Sequence, residues 1–194
     1  MSGSPIESTE LAAWCLKDDG PDKVDRLKRV VRYTRRTSFI MELLVDDLAG
    51  LDERQVKKLV KMVCAQHSIK YAPPRGKSFT TASPRSLTSH QLFHASVLLG
   101  LLLNTRHGGL TRNMTKAELV DRLLYAYEYW LVLCSEEPDK APVSLELFWF
   151  LYQTTAGQEI ELHNCSHCGS AFISISVGTP RCPICSTLNL VRPS

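Results

Sequence analysis

Two short cysteine pairs, Cys165-Ser166-His167-Cys168-Gly169 and Cys182-Pro183-Ile184-Cys185, lie thirteen residues apart near the C-terminal end. Thiolates spaced two residues apart let backbone amides fold around one edge of a metal ion, and four of them complete a tetrahedral zinc site. Gly169 permits a tight turn after the first pair, whereas Pro183 pre-sets the backbone inside the second. The spacing predicts one structural Zn2+ held by Cys165, Cys168, Cys182 and Cys185. Four sulfurs leave no open coordination position, so such a metal builds a fold and does not activate water. Three other uses of paired cysteines remain: two disulfides, an iron tetrathiolate of rubredoxin type, or a thiol redox pair. The last needs a thioredoxin-like βαβ context, which the sequence does not show. His163 and His167 flank the first pair as substitute ligands, although ordinary knuckle residues are the simpler reading.

A small scaffold has to position these sulfurs. Ala171-Phe172-Ile173-Ser174-Ile175-Ser176-Val177 alternates over its last residues as a strand does, and Gly178-Thr179-Pro180 turns it back. The ribbon is therefore expected over 158–194. Upstream the apolar period is helical, which makes the fold class mainly α: a helical body over 23–157 followed by the small four-cysteine zinc ribbon. Within that body the pattern predicts a helix-turn-helix-like N-terminal region at 38–66, a loop at 71–89, and helices at 90–104, 115–134 and 145–156. Asp52 with Gln55, and Thr115 with Glu118, have the spacing of capping boxes. Residues 1–22 mix Ser, Gly, Pro and acids with few apolar side chains, and are expected to form a poorly ordered extension.

The net charge of +3 is unevenly placed. Residues 1–86 carry 16 basic and 11 acidic side chains, residues 87–164 carry 5 and 9, and the remainder 2 and 0. A polyanion would therefore meet the N-terminal part. Arg26, Lys28, Arg29, Arg32, Arg35 and Arg36 follow one another with no acid between them, and Arg54, Lys57, Lys58 and Lys61 form a stripe opposite Val56, Leu59, Val60 and Val63. In a helix-turn-helix the second helix enters the major groove, with its first residues at base edges and its flanks at phosphates. The candidate DNA-contacting residues are Arg29, Arg32, Arg35, Arg36, Arg54, Gln55, Lys57, Lys58 and Lys61. A plain amphipathic hairpin with solvated lysines has the same pattern, and a protein-binding adaptor would show its basic residues neutralised by neighbouring acids.

Little else points to chemistry. His94, on a mostly apolar helix, reads as a satisfied core histidine, and no nucleophile elbow, phosphate-cradling glycine loop or paired-carboxylate motif is visible, so no enzyme and no small-molecule substrate is expected. The longest apolar run, 97–103, is too short for a bilayer, so no membrane partner is expected. Cys15, Cys64 and Cys134 are scattered and no leader is recognisable, which suits a soluble protein of the reducing cytoplasm.

In one consistent order over about residues 25–185, the LDERQVKKLVKMV helix, the PPRGK loop, the HAS stretch at His94 to Ser96, and CSHCG followed by FISI resemble the FlhC family, subunits of the bacterial flagellar master transcriptional activator. The resemblance implies a heterohexamer with FlhD that binds and bends promoter double-stranded DNA of flagellar operons and recruits RNA polymerase. It also implies structural zinc on the four cysteines. The alternatives are a zinc-ribbon adaptor that binds only protein, or an FlhC-like paralogue acting on non-flagellar genes.

Overall fold

A computed structural model describes residues 20–71, 87–103, 114–134, 137, 140–156, 161–174 and 180–188. The expected N-terminal extension to residue 19, Cys15, the 73–77 loop, the turn residues Gly178 and Thr179 and the chain after Leu188 lie outside these residues. The chain is mainly helical, as its periodicity predicts, and divides into two compact units.

The first unit is built on α1 (Gly20–Tyr33), α2 (Thr37–Leu43) and α3 (Glu53–Gln66), with residues Thr115–Asp121 added to it. Leu27, Val30 and Val31 of α1, Ile40 and Leu43 of α2, and Val56, Leu59 and Val60 of α3 are almost wholly buried, which is the three-and-four spacing turned inward. The link between α2 and α3 is longer than the short turn expected, because α2 ends at Leu43. Separate hydrogen-bonded turns follow, with Leu48 N donating to Leu44 O at 2.9 Å and Leu51 N to Leu48 O at 3.0 Å, and Gly50 takes the left-handed φ of 85° that ends them. The capping box then starts α3: Gln55 N donates to Asp52 Oδ1 at 2.8 Å, and Asp52 N to Gln55 Oε1 at 2.7 Å.

The second unit contains α4 (Ser89–Leu103), α5 (Lys116–Cys134) from Arg122 onward, α6 (Leu145–Ala156), strands β1 (Glu161–Asn164) and β2 (Ala171–Ser174), and the short α7 (Pro183–Thr187). Its core joins Leu98, Leu99 and Leu102 of α4 to Leu123, Tyr127 and Trp130 of α5 and to Phe148 and Leu151 of α6. Tyr127 keeps its hydroxyl satisfied there by donating to Val143 O at 3.1 Å. The Thr115–Glu118 box at the start of α5 forms as expected, and an unforeseen one, Thr88 with Gln91, starts α4.

The ribbon, made of the β1–β2 hairpin and α7, belongs to this second unit. It packs on α4, where the buried hydroxyl of Ser96 accepts a hydrogen bond from Ile173 N at 3.3 Å. β2 covers the first residues of the expected strand, the later ones from 175 on lying outside the described residues, and its partner β1 was not foreseen. The two run antiparallel, Glu161 opposite Ser174 and Asn164 opposite Ala171.

Candidate functional site

The β1–β2 hairpin delivers the first cysteine pair in its loop. Gly169 N donates to Cys165 O at 2.8 Å and Cys165 N to Ser170 O at 2.9 Å, a tight knuckle that closes only because Gly169 accepts a φ of 72°. The second pair sits at the N-terminus of α7, with Cys182 as its cap and Pro183 in the first turn, where a missing N–H costs nothing. Phe172 packs among the cysteines and shields them.

All four sulfurs lie within 4.8 Å of one another. Cys165 Sγ is 3.6 Å from Cys185 Sγ, and Cys168 Sγ is 3.9 Å from Cys182 Sγ. A tetrahedron with metal–sulfur bonds of about 2.3 Å has edges of about 3.8 Å. The donor set therefore fits a tetrahedral metal ion, and all four cysteines are free thiols and not disulfides. The histidines stay outside the set: His163 Nε2 faces Glu161 Oε2 at 3.4 Å, and His167 is an exposed knuckle residue.

The sulfurs differ in how readily they ionise. Hydrogen bonds from the side chain and backbone of Ser170 bring Cys168 down to about 6. Backbone N–H groups of Cys168 and His167 lower Cys165. Burial pushes Cys185 up to about 12 and raises Cys182 as well. One knuckle is thus preformed for anions, while the other gives up its protons only against a cation.

The candidate DNA-contacting residues belong to the first unit and differ in exposure. Arg32 of α1 and Arg54, Lys57, Lys58 and Lys61 of α3 are exposed, and the α3 four line the side away from Val56, Leu59, Val60 and Val63. The Lys61 ammonium lies 5.5 Å from the centre of the Tyr71 ring. Arg35 and Arg36 are half-buried in the link after α1. Gln55, foreseen as a base-reading residue, is committed to the α3 cap. Arg29 Nη1 is 3.3 Å from Asp121 Oδ1, so this candidate has an acid beside it.

That acid is part of what sequence order hides. Arg26 is buried, its Nε 2.7 Å and its Nη2 2.9 Å from the carboxylate of Asp47, and its Nη1 3.1 Å from Asp121 Oδ2. The hydrogen bond to Asp47 raises the guanidinium further above its already high range against the cost of burial. The run from Arg26 to Arg36 is free of acids along the chain but not in space. His94, read as a core histidine, is half-buried against Trp130 and meets His90 and Cys134 through its ring nitrogens.

Among the described residues no helix is long and apolar enough to cross a membrane. No family model matches the chain, and neither a curated protein nor a solved structure matches it.

Proposed function

We propose that this chain is a DNA-binding subunit of a transcriptional activator, of the FlhC kind, with one structural Zn2+ in its ribbon. The observation that carries the reading is the exposed basic row of α3, Arg54, Lys57, Lys58 and Lys61, on a capped helix whose opposite side is fixed in a core. A helix held this way presents cations at fixed spacing to a phosphate backbone, with Arg54 nearest the end that reaches base edges. Zinc at the four cysteines would tie the β1–β2 hairpin to α7 and supply no reaction. Soft sulfur donors in a tetrahedron suit zinc or iron, and colour separates them, since an iron tetrathiolate is red. Promoter DNA, an FlhD partner, RNA polymerase and a cytoplasmic setting belong to this reading through the family resemblance.

A second reading, an adaptor that binds only protein, is favoured by one observation: Asp47 and Asp121 neutralise Arg26 and Arg29. Fluorescence anisotropy with duplex DNA carrying a flagellar promoter, with and without FlhD, separates the two. The DNA reading expects binding that weakens steeply with salt, and Lys57→Ala with Lys61→Ala to weaken it on every sequence and flatten the salt slope by about one per lost phosphate contact. Absence of binding at low salt in both mixtures leaves the adaptor.

A further inference from the structure

His90 and His94 stand one turn apart on α4, the spacing at which helical histidines chelate metal ions. Their Nε2 atoms are 3.1 Å apart, with ring centres 4.5 Å apart and planes at 77°. Two nitrogens at that separation, each with a bond of about 2.0–2.1 Å to a shared ion, subtend roughly 100° at it. That angle lies between the right angle of square-planar or octahedral ligands and the tetrahedral value. On the far side of the His94 ring, Nδ1 faces Cys134 Sγ at 3.9 Å. A proton on Nδ1 directed at that sulfur leaves the Nε2 lone pair for a metal, the arrangement by which an outer partner fixes the tautomer of a ligating histidine. Trp130 lies edge-on to the same ring, centres 5.5 Å apart, and restricts its rotation. His90 is exposed, so an ion has access from solvent.

The geometry points to a second metal site, in which His90 and His94 chelate one divalent ion of the imidazole-preferring transition metals through Nε2, with Cys134 as a positioning residue behind His94. Ni2+, Cu2+, Zn2+ and Fe2+ belong to that class. Water fills the remaining positions, and the ion clips two turns of α4, the helix on which the ribbon is seated. The site is independent of whether α3 meets DNA.

The test uses the full chain with its ribbon loaded with zinc, titrated with Ni2+ alone by calorimetry while a chromogenic chelator reports any zinc released. One further ion per chain is expected, without zinc release and with shifts in the ring signals of both histidines by NMR. His90→Ala, an exposed change that leaves the core intact, should remove the saturable step. Cys134→Ala should weaken it by about tenfold, as loss of an outer-shell partner does. His167→Ala should leave it unchanged. An isotherm that is the same in His90→Ala, heat that tracks zinc release, or no bound Ni2+ in the unaltered chain overturns the site.

Discussion

The ribbon and the basic helices solve opposite electrostatic problems. In the ribbon, four groups that can become anions converge within 4.8 Å, an arrangement whose charge a metal ion would balance. In the first unit, cations are partly balanced from within: Arg26 and Arg29 meet Asp47 and Asp121, carried by the link after α2 and by the first turns of α5. With a metal in that site, the ribbon's stability would be conditional on its surroundings, on metal supply and pH. That of the basic unit is built in, and what it offers a partner is its exposed part, chiefly the row on α3.

The largest effect should come from breaking the ribbon's dependence on its ion. Cys185→Ser removes a buried ligand from a type of site whose apparent binding energy is about 10–16 kcal/mol near neutral pH, so metal content measured by elemental analysis should collapse. Amides of β1 and β2 should lose protection from hydrogen exchange while those of α1 and α3 keep it. Metal affinity should also fall as pH falls. Cys182 and Cys185 both lie above their ordinary range, Cys185 at about 12, so at neutral pH both hold protons that the metal must displace. Each displaced proton corresponds to about tenfold in affinity per pH unit, so these two contribute about a hundredfold. Cys168, at about 6, joins them only near and below that pH. Competition with a chelator at several pH values reads the slope, and a flat profile would contradict protonated sulfurs at the second knuckle.

Next in size is the buried pair. Asp47→Ala leaves the Arg26 guanidinium, with a side chain only 10% exposed, without its main partner. Removing one member of a buried pair typically costs about 3–5 kcal/mol. Chemical denaturation should show a loss of that order, and Asp47→Asn, which keeps part of the hydrogen bonding, a smaller one. A change below about 1 kcal/mol would mean the pair is effectively solvated and behaves as a surface ion pair.

What the residues disclosed in advance follows the same division. The four-cysteine cluster was legible because its chemistry is written in short spacings: two residues within each pair and a glycine at the knuckle. Capping boxes at Asp52 and Thr115 were legible for the same reason, each needing only the residue three places on. Arg26 was not, since its partners stand 21 and 95 residues away and no local pattern marks them. The partner strand Glu161-Leu162-His163-Asn164 was missed because it is short and mostly exposed, so it has no apolar alternation to show. The seat of the ribbon on α4 depends on the buried Ser96, which reads as an ordinary small residue in an apolar helix. His90 is visible beside His94 in the sequence, but the Cys134 contact joins positions 40 apart.

The helix start at Asp52 gives a smaller effect and checks that α3 is held rather than frayed. Asp52→Ala deletes the acceptor for Gln55 N and releases the Gln55 side chain, at a cost of about 1 kcal/mol. Thermal unfolding measures it. If α3 is the recognition helix, the same variant should weaken DNA binding at its N-terminal end more than Lys61→Ala does, because Arg54 stands in the turn that the cap fixes. Equal losses would place the weight of binding on the phosphates alone.

The smallest change in stability carries the sharpest information on the two readings of the basic unit. Asp121 is 42% exposed and touches both Arg26 and Arg29, so Asp121→Asn should cost less than about 1 kcal/mol. Its effect on a polyanion is a separate matter. If α1 lies against DNA, removing this carboxylate takes a negative charge from beside Arg26 and Arg29, raises affinity for any duplex and steepens the salt slope. If α1 faces a protein or solvent and only α3 meets DNA, the slope stays where it was while Lys57→Ala still flattens it. Anisotropy titrations of the two variants across a salt series read both numbers, and together they divide the arginines that the fold has already neutralised from the exposed lysines of α3.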